Sequence, residues 1–338
     1  MLERVLARLP PASYFRLRGV SRRWRAAADS TTFRAACARA PPRDPWFLML
    51  QDSANQDPAV VYDSGERAWA RWRGSPEPTP VAAAGGLVLY RDPATGELTV
   101  VNPLTGASRP LPSPPAAADA LQAVAMFGSP AYRVVLILGE LPKLSMATFD
   151  STTNAWEDVV PLSRKTYTSA VVTANGEDAA AAVAYFLSRS GTVVACDMAR
   201  RAFAELPRIL PAYHEYSIDV VACGGAAYAV VLSEFLDTAS LRVWELDAGG
   251  AWRQVAAMPP AMSHAFRGAK ADVNCVGHAD RVMVCVSSGD VAGARGCFVC
   301  DVRTNRWEEL TCCADGDGEE ATCFVAALSF EPRMEAAV

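Results

Sequence analysis

Three histidines, ten cysteines and one acidic tract are the groups in this 338-residue sequence best suited to chemistry, and their spacing decides what they can do. His214, His264 and His278 stand far apart, with no glycine-rich phosphate loop, paired metal-ligand motif or nucleophile elbow to accompany them. Cys297-x-x-Cys300 with Cys312-Cys313 has enough sulfur for zinc. The first pair, however, flanks Phe298-Val299 in an expected strand, where side chains three apart face opposite ways. The tract Asp315-Gly316-Asp317-Gly318-Glu319-Glu320 lacks the closing bidentate glutamate of a calcium loop and reads as a solvated acidic turn. These patterns predict no catalytic residue, no metal and no cofactor, so the chain is read as a non-enzyme.

Binding is the remaining chemistry. Between apolar runs lie segments rich in aromatic, basic and imidazole side chains: Arg164, Lys165 and Tyr167; Tyr213, His214 and Tyr216; His264, Phe266 and Arg267. Tyrosine and arginine anchor interfaces because they combine contact area with directional hydrogen bonds. Arg164, Tyr167, Tyr213, His214, Tyr216, His264, Phe266 and Arg267 are therefore the predicted target-binding set, the alternative being ordinary loop side chains packed on a rim.

What would position those segments is a repeat. An apolar strand ending in Asp or Asn, a short turn and an aromatic about six residues on recurs six times: Asp63 with Trp69, Asn102 without an aromatic, Asp150 with Trp156, Asp197 with Phe203, Asp247 with Trp252, and Asp301 with Trp307. Successive Asp or Asn positions are 39, 48, 47, 50 and 54 residues apart, the size of a four-stranded propeller blade. The side-chain oxygen starts the turn, Gly65, Gly106 or Gly249-Gly250 supplies positive φ, and the aromatic packs where blades meet. Leu111-Pro112, Leu206-Pro207 and Met258-Pro259 mark exits toward the next blade. A propeller must leave no strand edge unpaired, so the lone strand at Thr322–Phe330 is predicted to pair with the strand beginning at Pro45-Trp46.

Ahead of the repeats the charge changes sign. Residues 1–40 hold nine arginines against Glu3 and Asp29, a net of +7, which leaves −12 on the rest of a chain whose total is −5. Leu2, Val5, Leu6 and Leu9 recur at helical spacing and Pro10-Pro11 ends that helix. A second helix, capped by Ser13, carries Phe15 or Tyr14, Leu17, Val20 and Trp24, and a third follows the capping residues Asp29-Ser30-Thr31. Three such helices cannot make a self-sufficient core and need a partner to cover them.

Leu9-Pro10, Ser13, Phe15-Arg16-Leu17, Val20-Ser21-Arg22-Arg23 and Trp24 together resemble the F-box, the adaptor-binding module of SCF ubiquitin ligases. Gly85-Gly86 and Gly224-Gly225 resemble the kelch double glycine, and Pro45–Leu50, residues 243–259 and Ser329–Arg333 are similar to plant F-box/kelch proteins. The resemblance implies a mainly β chain: a short three-helix F-box at 1–42, then a six-bladed kelch-type β-propeller at 43–338. It also implies an acidic Skp-family adaptor engaged by Leu2, Leu6, Leu9, Pro10, Phe15, Leu17, Val20 and Trp24, with cullin and RING subunits beyond it and a target protein on the propeller. The usual Leu-Pro-acidic entry turn is missing, which points to an F-box truncated at its N-terminus. A ligase-independent scaffold or transcriptional co-regulator is the alternative, and nucleic-acid binding through the arginines comes third. No apolar run reaches the roughly 18 residues of a membrane span, and no secretory leader is evident, so nucleus or cytoplasm is expected.

Overall fold

A computed structural model describes residues 2–28, 30–51, 59–72, 78–115, 121–165, 183–211, 216–235, 238–288, 295–310 and 324–338. The N-terminal segment forms four short helices rather than three: α1 (Leu2–Leu6), α2 (Pro11–Arg18), α3 (Arg22–Ala28) and α4 (Thr31–Cys37). The expected second helix splits after Arg18, and Ser21 starts a new one by accepting Trp24 N–H at 3.2 Å. Ser30 caps α4 in the same way through Phe33 N–H at 3.1 Å. Ser13 is not a cap. Proline at the first position begins α2, where a missing amide costs nothing.

Six blades follow, antiparallel throughout except for one strand of blade 4. Blade 1 is β1 (Trp46–Gln51), β2 (Ala59–Asp63) and β3 (Ala68–Arg71); blade 2 is β4 (Thr79–Ala84), β5 (Leu87–Arg91), β6 (Leu98–Val101) and β7 (Ser108–Pro110). Blade 3 holds β8 (Leu121–Phe127), β9 (Arg133–Glu140), β10 (Lys143–Asp150), β11 (Ala155–Trp156) and β12 (Val160–Pro161). In blade 4, β13 (Ser163–Arg164) runs parallel to β16 (Ala202–Glu205), outside β15 (Val193–Asp197) and β14 (Val183–Leu187). Blade 5 is β17 (Tyr216–Cys223), β18 (Ala226–Phe235), β19 (Thr238–Leu246) and β20 (Trp252–Ala257). Helix α5 (Pro260–Ser263) and a 3₁₀ turn at His264–Phe266 lead to blade 6, made of β21 (Asp272–His278), β22 (Arg281–Ser287), β23 (Arg295–Asp301) and β24 (Arg306–Leu310). The last strand, β25 (Phe324–Phe330), completes blade 1 against β1, with Trp46 opposite Phe330, as the unpaired-edge argument predicts.

The repeat is a turn device joined to a packing device. Each of the six Asp or Asn side chains accepts backbone N–H groups of its own turn, among them Asp63 from Gly65 and Glu66 at 3.0 Å and Asp301 from Thr304 at 2.9 Å. Positive φ falls four residues after the Asp or Asn in five turns, on Arg67, Gly106, Asn154, Arg201 and Asn305, and on Gly250 in the shorter sixth. Gly65 is therefore not the left-handed residue it was expected to be.

The aromatics then reach back to the previous blade's exit: Trp156 donates its indole N–H to Pro112 O at 2.8 Å, and Trp252 to Pro207 O at 2.9 Å. In blade 6, Asn305 Oδ1 accepts both Trp307 Nε1 at 3.1 Å and Ala257 N at 3.0 Å. Leu111, Leu206 and Met258 of the Leu-Pro and Met-Pro exits are buried in the interblade cores. Each of the six blade–blade seams has its own apolar cluster, so burial between blades holds the ring together.

Candidate functional site

Because strands alternate in direction, the Asp and Asn turns and the β4–β5, β17–β18 and β21–β22 hairpins share one end of the blades, and the blade-to-blade crossovers leave from the other. The helices sit at the first end. Leu6, Ala7, Tyr14, Phe33 and Cys37 pack with Leu104 of the β6–β7 turn and Met334 of the C-terminal tail, and Tyr14 stacks on Phe33 at 5.2 Å. Burial pushes the Cys37 thiol up, against the opposing pull of Arg43.

Hydrogen bonds fasten this packing. Arg43 donates Nη2 to Ala7 O at 2.7 Å, Nη1 to Pro332 O at 2.9 Å and its backbone N–H to Glu331 Oε1 at 2.8 Å. Asn102, fully buried, uses Oδ1 for its own turn while Nδ2 donates to Arg333 O at 3.0 Å and Ala336 O at 2.8 Å. It is the one amide among six turn positions, and the tail's carbonyls explain it, because an aspartate has no donor to offer them.

The helical module exposes Val5 (55%) on α1, Phe15 (37%) on α2 and Val20 (70%) in the link between α2 and α3, three of the five large apolar side chains exposed among the described residues. Arg4, Arg16, Arg22 and Arg25 of the module are exposed as well, whereas Pro10 and Arg8, also exposed, line a cavity together with Trp46, Asp63 and Gly65 of blade 1. The predicted adaptor set divides accordingly. Leu6 is 1% exposed and faces the propeller, since i and i+1 on a helix point apart and its neighbour Val5 faces out. Leu2, Leu9 and Trp24 lie half-buried against the same core, and the Leu17 side chain lies outside what is described. Val5 was read as part of the helix stripe but not as a contact. Its signal is its place one residue before a leucine that turns inward.

The predicted target residues do not all converge. Arg164 lies on the outer rim of blade 4, paired with Glu205 at 2.8 Å, away from the crossover between blades 5 and 6. Tyr167, Tyr213 and His214 lie outside the described residues. Phe266 is 1% exposed and meets Phe298 edge-on at 5.9 Å in the core between blades 5 and 6, so it cannot touch a target. A ring in a 3₁₀ turn that crosses a blade seam fills the seam.

Tyr216 is half-buried at the start of β17, and His264 and Arg267 are exposed on the crossover. Beside them stands a residue absent from the predicted set, Phe235, 60% exposed at the end of β18. Gly268 N–H donating to Glu234 Oε2 at 2.9 Å and Ser263 Oγ donating to Ala239 O at 3.0 Å tie its hairpin to the crossover.

His264 and His278 sit at opposite ends of β21 and cannot cooperate, and burial draws the His278 pKa down. Cys297 faces the seam between blades 6 and 1, whereas Cys300 faces that between blades 5 and 6, as strand alternation requires. Among the described residues no group of histidine, cysteine and acidic side chains could hold a metal. Cys312, Cys313 and the 315–320 tract lie outside them.

The chain is thus a basic helical module with exposed apolar side chains seated on a six-bladed propeller. Residues 1–35 match the F-box domain and residues 73–312 the KIB1-4 β-propeller, and the chain belongs to the F-box proteins that carry this propeller. It is 38% identical over 392 aligned residues to F-box only protein 13 of Arabidopsis thaliana, covering 100% of this chain and 84% of that one. It is 26% identical to Protein ABERRANT PANICLE ORGANIZATION 1 of Oryza sativa subsp. indica, covering 99% and 87%. A nidogen/laminin complex structure shares 6% identity at a TM-score of 0.44, covering 86% of this chain and 99% of that one, too loose a likeness to argue from.

The propeller family matched is thus KIB1-4 and not kelch. The glycine pairs behind the kelch expectation are hairpin turns with positive φ at both residues, 57° and 87° at Gly85-Gly86 and 58° and 79° at Gly224-Gly225. Blade 6 closes the corresponding hairpin with Ala279-Asp280, of which only Ala279 takes positive φ, at 50°.

Proposed function

We propose that the chain is the substrate-recognition subunit of an SCF-type (Skp–cullin–F-box) ubiquitin ligase, with residues 1–42 holding a Skp-family adaptor and residues 43–338 a target protein. The observation that carries this reading is the exposure of Val5, Phe15 and Val20 on a helical module whose buried side chains pack against the propeller. An acidic adaptor would complement the surrounding arginines. Through that adaptor the chain would join cullin and RING subunits in the nucleus or cytoplasm. It would add no chemical step of its own, raising ubiquitin transfer to the target by proximity.

The crossover end around Phe235, His264 and Arg267 is the target face in this reading. About seven residues of strand at roughly 3.3 Å each separate it by about 23 Å from the end of the blades on which the helices sit. The test is capture of the full chain by an immobilised Skp-family adaptor. Val20→Asp and Phe15→Asp together should weaken binding at least tenfold with the melting temperature unchanged. Absence of binding by the unaltered chain would move the function to a ligase-independent scaffold.

A further inference from the structure

Cys285 Sγ on β22 and Cys297 Sγ on β23 lie 3.1 Å apart in the core of blade 6. The two residues are directly opposed in the antiparallel ladder. Opposed Cα atoms in such a ladder stand about 4.5–5.5 Å apart, inside the roughly 4.4–6.8 Å that a disulfide spans, so bonding needs no backbone movement. Neither sulfur is in a disulfide, nor is any other described cysteine. Cys285 is 1% and Cys297 6% exposed, and Phe47, Tyr62 and Leu310 of the same apolar cluster line an open cavity of about 370 Å³ at the seam between blades 6 and 1, the side from which peroxide would approach.

We propose that Cys285 and Cys297 form a redox modification site, a reversible cross-strand disulfide made by hydrogen peroxide. One sulfur attacks an oxygen of the peroxide, the O–O bond breaks, and the departing hydroxide takes the thiol proton as water. The second sulfur then displaces hydroxide from the resulting sulfenic acid, which leaves with the second proton as another water. Two thiols give up two electrons and one peroxide becomes two waters. A dithiol reverses the reaction by exchange. The bond would tie β22 to β23 within blade 6, so oxidation would brace that blade where it faces blade 1.

The test uses the full chain, reduced and then treated with a modest excess of hydrogen peroxide. Remaining thiols are alkylated after unfolding and the peptides mapped by mass spectrometry. The expected result is a peptide pair joined through positions 285 and 297, two hydrogens lighter than the free peptides, absent after dithiothreitol. A melting temperature raised by about 3 °C should accompany it. Recovery of both residues alkylated, as sulfinic acids, or bonded to any other cysteine would overturn the proposal. Cys297→Ser should abolish the link, and should that variant fail to fold, the mapping of the unaltered chain decides alone.

Discussion

Asn102→Asp exchanges one amide group for an oxygen and isolates the clamp on the C-terminal tail. Its turn should survive, because Oδ1 can still accept from Leu104 and Thr105, as aspartates do in the other five blades. What is lost is the donor to Arg333 O and Ala336 O, in a site with no solvent exposure. Two hydrogen bonds at about 1 kcal/mol each, plus about 1–2 kcal/mol for carbonyls left facing an oxygen, give a deficit of about 3–4 kcal/mol at pH 7.

The new carboxyl is pushed upward in the folded state, since only its neutral form can donate to a carbonyl. A group raised in this way stabilises most below its unfolded pKa, near ~3.9, and the benefit is lost as pH rises through the folded value. The deficit should therefore shrink between pH 7 and pH 5. Denaturant unfolding, with hydrogen exchange across 331–338, measures both effects. Asp247→Asn, whose Oδ1 bond to Ala251 N at 2.8 Å is retained, should cost under about 1 kcal/mol. An Asn102→Asp chain within about 1 kcal/mol of the parent, or a deficit indifferent to pH, would refute the clamp.

Three further outcomes are expected. Trp252→Phe keeps most of the buried ring but deletes the bond to Pro207 O, and calorimetry should show a loss of about 0.5–1.5 kcal/mol. Phe266→Ala should cost about 3–5 kcal/mol through the cavity it leaves, whereas Phe235→Ala should stay within about 0.5 kcal/mol yet lose target recovery; equal stability effects would mean the two rings are misassigned. Burial pushes the thiols of Cys196, Cys223 and Cys300 up to about 12 from an ordinary 9.0, so their contribution is complete below pH 9 and lost as pH rises toward 12. Cys196→Ala should accordingly flatten the alkaline decline in melting temperature.

Much of this protein is legible along the chain because its repeat is local. An Asp or Asn bonded to amides two to four residues on, a left-handed residue and an aromatic on the returning strand are all neighbours in sequence, so the period alone determines blades and their number. The closure of β25 on β1 follows from the same count, since one strand was short and one left over.

Facing is another matter. Val5 and Leu6 are equally apolar neighbours on one short helix, and only the propeller's turn at Leu104 and tail at Met334 decide that leucine turns in and valine out. Phe266 looked like an anchor beside His264 and Arg267 until its seam with Phe298 was in place. Asn102 read as one more Asp or Asn turn position, and its tail partners lie more than two hundred residues away. The sequence by itself determined turns, period and ring closure, whose interactions span a few residues or follow from counting strands. The tertiary structure alone decided which apolar and polar groups remain uncovered, because burial depends on chain segments that local order cannot bring to mind or to hand.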